Sequence, residues 1–296
     1  MIKDVAINIR PNDRKSIPFV KRLIDFLQNI GTKIILPDYE IFHNEDLSNF
    51  VTCSNNFINL PDMVIVIGGD GTLLATARSF STTKTPLLGI NRGRLGFLTE
   101  FSPDEAFCNL DEIIKGNFKT TKRAMLDAIQ MRKNTELSRF AFLNDAVISK
   151  GKKFRPITLQ LELDNEFLDS YSGDGLIIST ATGSTAYSLS AGGPIITPTI
   201  DNIFIINPIC PHSLAVRPMI ISTQNVLRIK ISTHTHIDNV ILTVDGQEAI
   251  QIEKDDEILI KGTNKRVYLI THPKLNFYQI LRQKLGWGKV QNEKVL

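Results

Sequence analysis

Apolar and polar positions alternate in two different ways along the chain. In the first 118 residues, short apolar runs are separated by segments in which apolar side chains recur every three or four positions. The short runs are typical of strands buried on both faces, and the longer spacing is typical of amphipathic helices. This order predicts a doubly wound α/β domain with a parallel sheet and a site beyond the carboxyl ends of its strands.

The predicted elements of this part follow from those two spacings. Strands are predicted at residues 5–9, 33–36, 63–67 and 86–90. Helices are predicted between Asp13 and Gly31, after Gly71, and from Ser102 to Gly116, where Ser102 begins a capping-box pattern. Residues 38–60 show no sustained spacing, so they are predicted to be irregular with one short helix near 47–51.

From about residue 119 the spacing changes to a period of two. Residues 157–163 alternate strictly and end at an Asp164-Asn165 turn. Further strands are predicted at 140–149, 227–231, 239–244, 257–261 and 267–271. Many short strands predict an all-β domain, an antiparallel sandwich or layered sheet. The predicted domains are therefore 1–118 and 119–271, with a last helix in 272–296 packing back on the first.

Composition narrows the class of protein without indicating an activity. The 296 residues are 42% hydrophobic, which is ordinary for a globular chain and unlike a disordered one. A net charge of +3 is too mild and too evenly spread to indicate a nucleic-acid partner. No signal peptide and no apolar run of membrane length stand out, so we expect a cytoplasmic protein without a membrane partner.

The cysteines indicate neither disulfides nor a metal centre. Cys53, Cys108 and Cys210 are odd in number and far apart, as expected for reduced thiols. Cys210 and His212 could supply two metal ligands, but the chain lacks a second pair at suitable spacing. No metal site built from protein ligands is expected.

A glycine-rich turn follows the strand predicted at 63–67. It reads Gly68-Gly69-Asp70-Gly71-Thr72 and precedes a helical pattern. The start of a helix after a glycine turn presents backbone N–H groups to a phosphate. Asp70 is unusual there, because its charge would repel the ligand. Either Asp70 caps the helix, or it faces a hydroxyl that must lose a proton while phosphate lies alongside.

A second glycine loop, residues 91–98, follows the strand predicted at 86–90. Its Arg92 and Arg94 could bind phosphate or could simply face solvent in a turn. The polar pair Asn144-Asp145 interrupts an apolar strand pattern. It could mark the end of a strand, or it could hydrogen-bond a ribose or the edge of a base. Residues 244–247 are equally well explained as a hairpin turn.

Residues 173–194 combine serine, threonine and glycine with one aromatic residue, Tyr187. A flexible linker has such a composition. However, Leu176-Ile177-Ile178 predicts a strand, and Tyr187 and Leu189 are expected to be buried. A neutral pocket lined by hydroxyls, with one ring for stacking, suits a nucleoside.

Familiar phosphate-binding motifs are missing. Gly151-Lys152 and Gly288-Lys289 lack the rest of a P-loop, and the sequence has no G-x-G-x-x-G. The motif set of protein kinases is also missing. Any phosphoryl transfer would therefore have to use the loop around Asp70.

Taken together, these stretches resemble the NAD kinase family of bacterial type. The Gly-Gly-Asp-Gly-Thr loop alone is similar to a superfamily that includes diacylglycerol kinases and 6-phosphofructokinases. The more specific resemblance lies in residues 89–99, Asn144-Asp145, 173–194, 211–218 and 285–287. It implies a Rossmann-like N-terminal domain, a C-terminal β domain, and transfer of the γ-phosphate of ATP, or of a phosphoryl group from another donor such as polyphosphate, to the adenosine-ribose 2′-hydroxyl of NAD, giving NADP.

The resemblance also implies site residues by position. Asp70 is the implied catalytic carboxylate, which orients and deprotonates the hydroxyl. The implied phosphate loop is Gly68, Gly69, Gly71 and Thr72. The implied substrate contacts are Gly71, Phe97, Asn144, Asp145, Arg155, Ser172, Asp174, Thr185, Ala186, Tyr187, Ser188, Leu189, Ser190 and Gln247. The family has Asn-Glu where this chain has Asn144-Asp145, so the direct ribose contact of the shorter carboxylate is in question.

The resemblance further implies Mg²⁺ carried with ATP as the phosphoryl donor, NAD as substrate, and a homodimer or homotetramer in which Arg155 could serve a neighbour's site. Two rival functions remain open from the residues. A lipid or sugar kinase of the same superfamily would need an acyl groove or sugar-phosphate binders instead of the hydroxyl-rich segment. A catalytically silent NAD-binding regulator is the other, although an intact Asp70 loop argues against it.

Overall fold

The computed structural model describes residues 1–93, 95–151, 155–232, 240–253 and 255–287. It divides the chain into two compact units. The first comprises Met1–Thr121 and Val267–Leu296, and the second comprises Lys122–Arg266. No helix among the described residues has both the length and the apolar composition needed to cross a membrane.

The first unit is a parallel sheet with helices, as the alternating pattern predicts. Its elements up to the second unit are β1 (Asp4–Ile9), α1 (Ile17–Asn29), β2 (Lys33–Pro37), α2 (Glu40–Asn44), β3 (Val51–Thr52), α3 (Ser54–Asn59), β4 (Met63–Ile67), α4 (Asp70–Ser79), β5 (Pro86–Ile90) and α5 (Pro103–Lys115). Parallel pairing gives the strand order β5-β4-β1-β2-β3.

This order explains where the two glycine loops lie. All five residues of β4 are buried, which matches its uninterrupted apolar run. Because β4 and β5 are parallel neighbours, the loops that leave their carboxyl ends start side by side. The N–H of Gly68 donates to the carbonyl of Ile90 at 2.9 Å, so both loops begin from adjacent points of the sheet.

The prediction for residues 38–60 is wrong in detail. Besides a 3₁₀ turn at Ser48–Phe50, this region contains α2, β3 and α3. Phe42 and Phe57 are buried and fix these short elements against the core. Elements of two to six residues are too short to show a period, so their stability comes from tertiary packing rather than from local pattern.

The second unit is built of antiparallel strands. Its elements are β6 (Thr120–Arg132), β7 (Thr135–Phe142), β8 (Asp145–Lys150), β9 (Ile157–Leu163), β10 (Glu166–Gly173), β11 (Gly175–Thr180), α6 (Tyr187–Ser190), β12 (Ile203–Ile209), β13 (Met219–Ser222), β14 (Leu227–Ile231), β15 (Val240–Val244), β16 (Glu248–Ile252) and β17 (Asp256–Ile270).

Two sheets enclose one apolar core in this unit, which confirms the predicted sandwich. One sheet has the order β13-β12-β11-β8-β15-β16, and the other contains β10-β9-β14-β17, with β6 pairing with β17 and β7. The Asp164-Asn165 turn joins β9 to β10 with φ angles of 52° and 70°, which its residue types favour.

Two strand predictions in this unit need correction. The single strand predicted at 140–149 is two strands, β7 and β8, that break at Leu143-Asn144. The strands predicted at 257–261 and 267–271 belong to one long strand, β17. Alternation in the sequence does not reveal the first break, because the N–H groups at the break donate to the carboxylate of Asp245, about 100 residues away.

The last described helix, α7 (Phe277–Leu285), belongs to the first unit, as expected for a C-terminal helix that returns to it. Asn276 and Gln279 form a capping box at its start, and Gly286 ends it with a left-handed φ of 69°. Lys284 Nζ donates to the carbonyl of Leu95 at 2.8 Å, which ties the helix to the second glycine loop.

Candidate active site

Asp70 stands at the point where β4 becomes α4. Gly69 occupies the N-cap and Asp70 is the first helical residue, and the Asp70 carboxylate is hydrogen-bonded to residues 97–99. The interpretation of Asp70 as a helix cap is therefore wrong. Gly68, with a φ of 154°, allows the turn to close on Thr72, whose Oγ1 would lie 2.5 Å from a Cβ at position 68.

The carboxylate of Asp70 is held by the second glycine loop. Oδ2 accepts from the N–H of Phe97 at 2.9 Å. Oδ1 accepts from the N–H of Leu98 at 3.1 Å, and from both the N–H and the hydroxyl of Thr99 at 3.1 and 3.0 Å. Four hydrogen bonds from three consecutive residues fix the orientation of this carboxylate before any ligand arrives.

Gly96 is required for this arrangement. A Cβ at position 96 would lie 2.0 Å from Oδ1 of Asp70 and 2.3 Å from Oγ1 of Thr99. The carboxylate therefore packs directly against the glycine backbone. In the sequence this residue is one of the glycines of the loop at residues 91–98, and no local pattern connects it with Asp70.

Other contacts shape the same loop. The amide of Asn91 donates to the carbonyl of Phe101 at 3.0 Å, and Arg92 Nη1 lies 3.3 Å from the carboxylate of Asp13. Arg92 is thus engaged in an ion pair within the unit, and Arg94 lies outside the described residues. The half-buried Phe97 ring lies beneath the Lys284 ammonium, 4.9 Å from its centroid.

In the second unit, Asn144 and Asp145 stand at the break between β7 and β8. The carbonyl of Asn144 accepts from the N–H of Thr180 at 2.9 Å. A Cβ at Gly183 would lie 2.1 Å from that carbonyl, so the 180–184 turn packs directly on the Asn144 backbone. Asn144 is half-buried, and Asp145 is 6% exposed.

Asp145 has a strongly perturbed carboxyl group. Burial, with the neighbouring charge of Asp245 adding to it, raises the pKa of Asp145 to about 7, although an N–H from Tyr187 opposes the shift. The sequence gives no sign of this perturbation, because Asp245 is distant in the chain. Perturbed carboxyl groups of this kind are concentrated at functional sites.

The hydroxyls of residues 179–190 are used mainly within the protein. Thr180 Oγ1 donates to the Leu143 carbonyl at 2.5 Å and accepts from the Gly183 N–H at 3.1 Å. Ser184 Oγ donates to the Ala181 carbonyl at 2.7 Å, and the amide of Asn207 donates to the Ser188 carbonyl at 2.9 Å. These buried groups hold the segment in one conformation.

The exposed residues of that segment differ from expectation. Tyr187 is 47% exposed, so the prediction that it is buried is wrong. Ser190 is exposed as well, whereas Thr185, Ala186 and Leu189 are half-buried. The buried serines and threonines anchor the segment, and the Tyr187 ring is exposed on its surface. The segment therefore has a fixed conformation instead of that of a flexible linker.

The remaining candidate residues of the second unit fall into two groups. Gln247 follows the Asp245-Gly246 turn that joins β15 to β16, which confirms the hairpin, and lies near Asp145. Ser172, Asp174 and the exposed Arg155 lie instead towards the other end of β8, where Lys150 pairs with Asp174. Six strand residues separate those ends by roughly 17 Å.

Within the described residues, no cluster of three or more histidine, cysteine, aspartate or glutamate side chains could hold a metal ion. The three cysteines are free and exposed. Of the predicted site residues, Asp70 in the first unit and Asn144 and Asp145 in the second lie in defined hydrogen-bond networks.

Two family models match separate parts of the chain. Residues 5–118 match the ATP-NAD kinase N-terminal domain family, and residues 143–272 match the ATP-NAD kinase C-terminal domain family. The NAD kinase of Syntrophotalea carbinolica is 43% identical over 296 aligned positions, which cover 97% of this chain and all of that protein.

Solved structures with the same fold include two kinases. A yeast NADH kinase complexed with NADH is similar with a TM-score of 0.88 and 27% identity, covering 98% of this chain and 89% of that one. An NAD kinase from Archaeoglobus fulgidus in complex with ATP has a TM-score of 0.71 and 24% identity, covering 96% of this chain and 97% of that one.

Proposed function

This chain belongs to the NAD kinase family, and from this premise we propose that it transfers the γ-phosphate of ATP to the 2′-hydroxyl of the adenosine ribose of NAD, giving NADP. Family membership excludes the lipid and sugar kinases as rivals. The observation that carries the proposed chemistry is the Asp70 carboxylate, held by the N–H groups of residues 97–99 at the end of β4.

Asp70 acts through Oδ2 in this proposal. Oδ1 accepts three hydrogen bonds from Leu98 and Thr99, and Oδ2 accepts one, from Phe97, among the described residues. Each carboxylate oxygen has about two lone pairs, so Oδ2 keeps one for an incoming hydroxyl. The loop thus selects the oxygen that receives the proton.

The reaction requires little more than positioning and charge stabilisation. The 2′-oxygen forms a bond to the γ-phosphorus, the bond from that phosphorus to the β–γ bridging oxygen breaks, and the 2′-hydroxyl proton passes to Asp70 Oδ2. In a loose transition state the proton leaves late, so a fixed carboxylate need not be a strong base. General-base assistance of this kind contributes about 10²–10⁴ in rate.

The donor is proposed to be ATP with its Mg²⁺, which enters as part of the substrate. The residues for its phosphates are Gly68, Gly69, Gly71 and Thr72, where α4 begins. The start of this ten-residue helix favours negative charge, and glycines allow phosphate oxygens to approach the backbone. Mg²⁺ neutralises charge on the phosphates as the bond to the leaving group breaks.

The residues proposed to contact the nucleoside are Phe97 and, in the second unit, Asn144 and Asp145. Asn144 supplies an amide and Asp145 a carboxyl group for the ribose or base. The 185–190 segment supplies the exposed Tyr187 ring as a stacking surface. The proposed direct contacts of this segment are Thr185, Ala186, Tyr187, Ser188, Leu189 and Ser190.

The second group of candidate residues fits a homodimer or homotetramer. Arg155, Ser172 and Asp174 lie towards the end of β8 away from Asp145. We propose that Arg155 serves the site of a neighbouring subunit, and that Ser172 and Asp174 contact the substrate.

The choice between NAD and NADH is a second question for the same site. The yeast structure with a TM-score of 0.88 is an NADH kinase complexed with NADH. NAD is proposed as the main acceptor here because the curated relative with 43% identity is an NAD kinase. Both acceptors belong in the assay.

The test is an acceptor panel with γ-labelled ATP and Mg²⁺. Purified protein would receive NAD, NADH, diacylglycerol or fructose 6-phosphate, and label in each product would be measured. We expect label in NADP, confirmed as the 2′-phosphate by reduction with an NADP-specific dehydrogenase. Labelled lipid or sugar, or no product from either dinucleotide, would contradict the proposal.

A further inference from the structure

Asp245 accepts hydrogen bonds from three consecutive backbone N–H groups at the break between β7 and β8. Its Oδ2 accepts from Leu143 at 3.1 Å, and its Oδ1 accepts from Asn144 at 2.7 Å and from Asp145 at 3.2 Å. The N–H of Asp245 donates in return to the carbonyl of Asp145 at 2.8 Å. The two segments are about 100 residues apart in sequence.

We propose that Asp245 is the positioning residue of the nucleoside site, because its carboxylate fixes the backbone that presents Asn144 and Asp145. This inference rests on the proposed function, because the proposed function is what assigns Asn144 and Asp145 to the nucleoside site. Asp245 is not itself assigned a contact with substrate.

The hairpin between β15 and β16 brings the carboxylate to this place. Asp245 and Gly246 have left-handed φ angles of 50° and 65° and are the central residues of a turn that the N–H of Gln247 closes by donating to the carbonyl of Val244 at 3.0 Å. Val244 pairs with Ala146 at the start of β8, so the turn begins beside the strand break. A regular ladder would pair the N–H groups of residues 143–145 with another strand, and here a carboxylate replaces that strand.

A purely structural turn would not need this charge. Asp245 is 7% exposed and Asp145 is 6% exposed, so two carboxyl groups are buried side by side. Burying like charges together is unfavourable, and a neutral side chain could form the same turn. The arrangement costs stability but orients two polar side chains, as is common where a site is fixed before its ligand binds.

Among the described residues, the charge that acts on the Asp145 carboxyl is that of Asp245, and the N–H of Tyr187 donates to it. Removal of the Asp245 charge would therefore both release the backbone and make Asp145 easier to ionise. A structural role alone would not alter how NAD binding depends on pH.

The test compares Asp245→Asn with a matched control, Asp164→Asn. Asp164 also occupies a left-handed position of a hairpin turn, with φ of 52°, and its carboxylate accepts from the N–H of Val226 at 2.8 Å. It stands in the turn between β9 and β10. Asparagine tolerates the left-handed conformation, so both variants keep the turn.

Steady-state kinetics in NAD and in ATP, over pH 5.5–8.5, and amide hydrogen exchange without substrate are the readouts. For Asp245→Asn we expect faster amide exchange at residues 143–145. We expect the KM for NAD to rise about 10- to 100-fold, because the residues that contact the nucleoside are displaced. The pH dependence of that KM should move to lower pH. The KM for ATP stays within about twofold in the absence of any direct contact. Asp164→Asn should match the wild type.

A second variant, Asp245→Glu, retains the charge and moves the carboxylate by one methylene. It should raise the KM for NAD without moving the pH profile, which tests the inference even if Asp245→Asn fails to fold. A wild-type KM for NAD in both variants, with the wild type forming NADP, would overturn the positioning role alone. No NADP from the wild type would instead overturn the proposed function, and the exchange data would still test whether Asp245 fixes the backbone.

Discussion

Gly96 and Asp70 are in direct contact: a Cβ on Gly96 would lie 2.0 Å from Oδ1 of the Asp70 carboxylate. Asp70 cannot keep its hydrogen bonds to Phe97, Leu98 and Thr99 if any side chain occupies position 96. The catalytic proposal thus depends on a residue without a side chain.

Gly96→Ala should displace the carboxylate while leaving the fold intact. We expect kcat to fall by about 10²-fold, the loss expected when a reacting group moves by about 1 Å. The matched control is Gly93→Ala in the same loop, where a Cβ would meet nothing within 4 Å. If both variants keep the wild-type kcat, the loop does not position Asp70 for catalysis.

Lys284→Met tests whether α7 supports the loop that carries Phe97. This change removes the hydrogen bond to the Leu95 carbonyl and the cation over the Phe97 ring, while keeping most of the aliphatic chain. Exposed contacts of this kind contribute about 0.5–1 kcal/mol, so we expect the KM for NAD to rise about two- to fivefold.

Arg282→Met provides the comparison for that variant, because Arg282 is exposed on the same helix. The KM for NAD in this control should remain at the wild-type value. An equal rise in both variants would indicate a general effect of charge rather than support of the loop.

Asp145→Asn should change how stability depends on pH. The pKa of Asp145 is raised to about 7 in the folded protein, from an ordinary value of 3.8. Between these values the folded state holds a proton that the unfolded state has released, so this group makes the protein less stable as pH rises from about 4 to 7.

The measurement is the free energy of unfolding of both proteins from pH 4.5 to 8. Relative to the wild type, Asp145→Asn should gain stability on the order of 2–4 kcal/mol between the ends of that range, because it has no carboxyl to ionise. A constant difference between the two curves would show that Asp145 does not titrate there.

Asp145→Glu tests whether the site requires the shorter carboxylate at position 145. We expect activity to stay intact or rise, because glutamate keeps the carboxyl group and extends its reach by one methylene. The kcat/KM for NAD is the readout. A large loss would mean that the backbone held by Asp245 is set for the shorter side chain.

The sequence predicts most of the fold because its strong signals are local. The apolar run of β4, the capping box at Ser102 and the alternation in β9 each depend on neighbouring residues. The short elements between residues 40 and 59 escape prediction, since packing of Phe42 and Phe57 stabilises them instead of a local pattern.

The site is predictable in its residues but not in its organisation. The glycine turn indicates Asp70, yet no sequence rule links it to Gly96 or to the amides of residues 97–99. The same holds for Asp245. Its turn can be predicted from the sequence, but its hydrogen bonds to the N–H groups of residues 143–145 depend on the pairing of β15 with β8. Tyr187 was expected to be buried because aromatic residues usually are, but the buried serines around it leave the ring exposed.

The most direct test of the account is Asp70→Asn, measured against Asp62→Asn. Asp62 precedes β4 as Asp70 follows it, and its carboxylate also accepts backbone N–H groups, from Lys3 at 2.8 Å and Asp4 at 3.1 Å. For Asp70→Asn we predict a Kd for NAD within a few-fold of the wild type and a kcat for NADP formation lowered by about 10²–10⁴. Asp62→Asn should keep the wild-type kcat. An unchanged kcat in Asp70→Asn would contradict the claim that this carboxylate receives the proton.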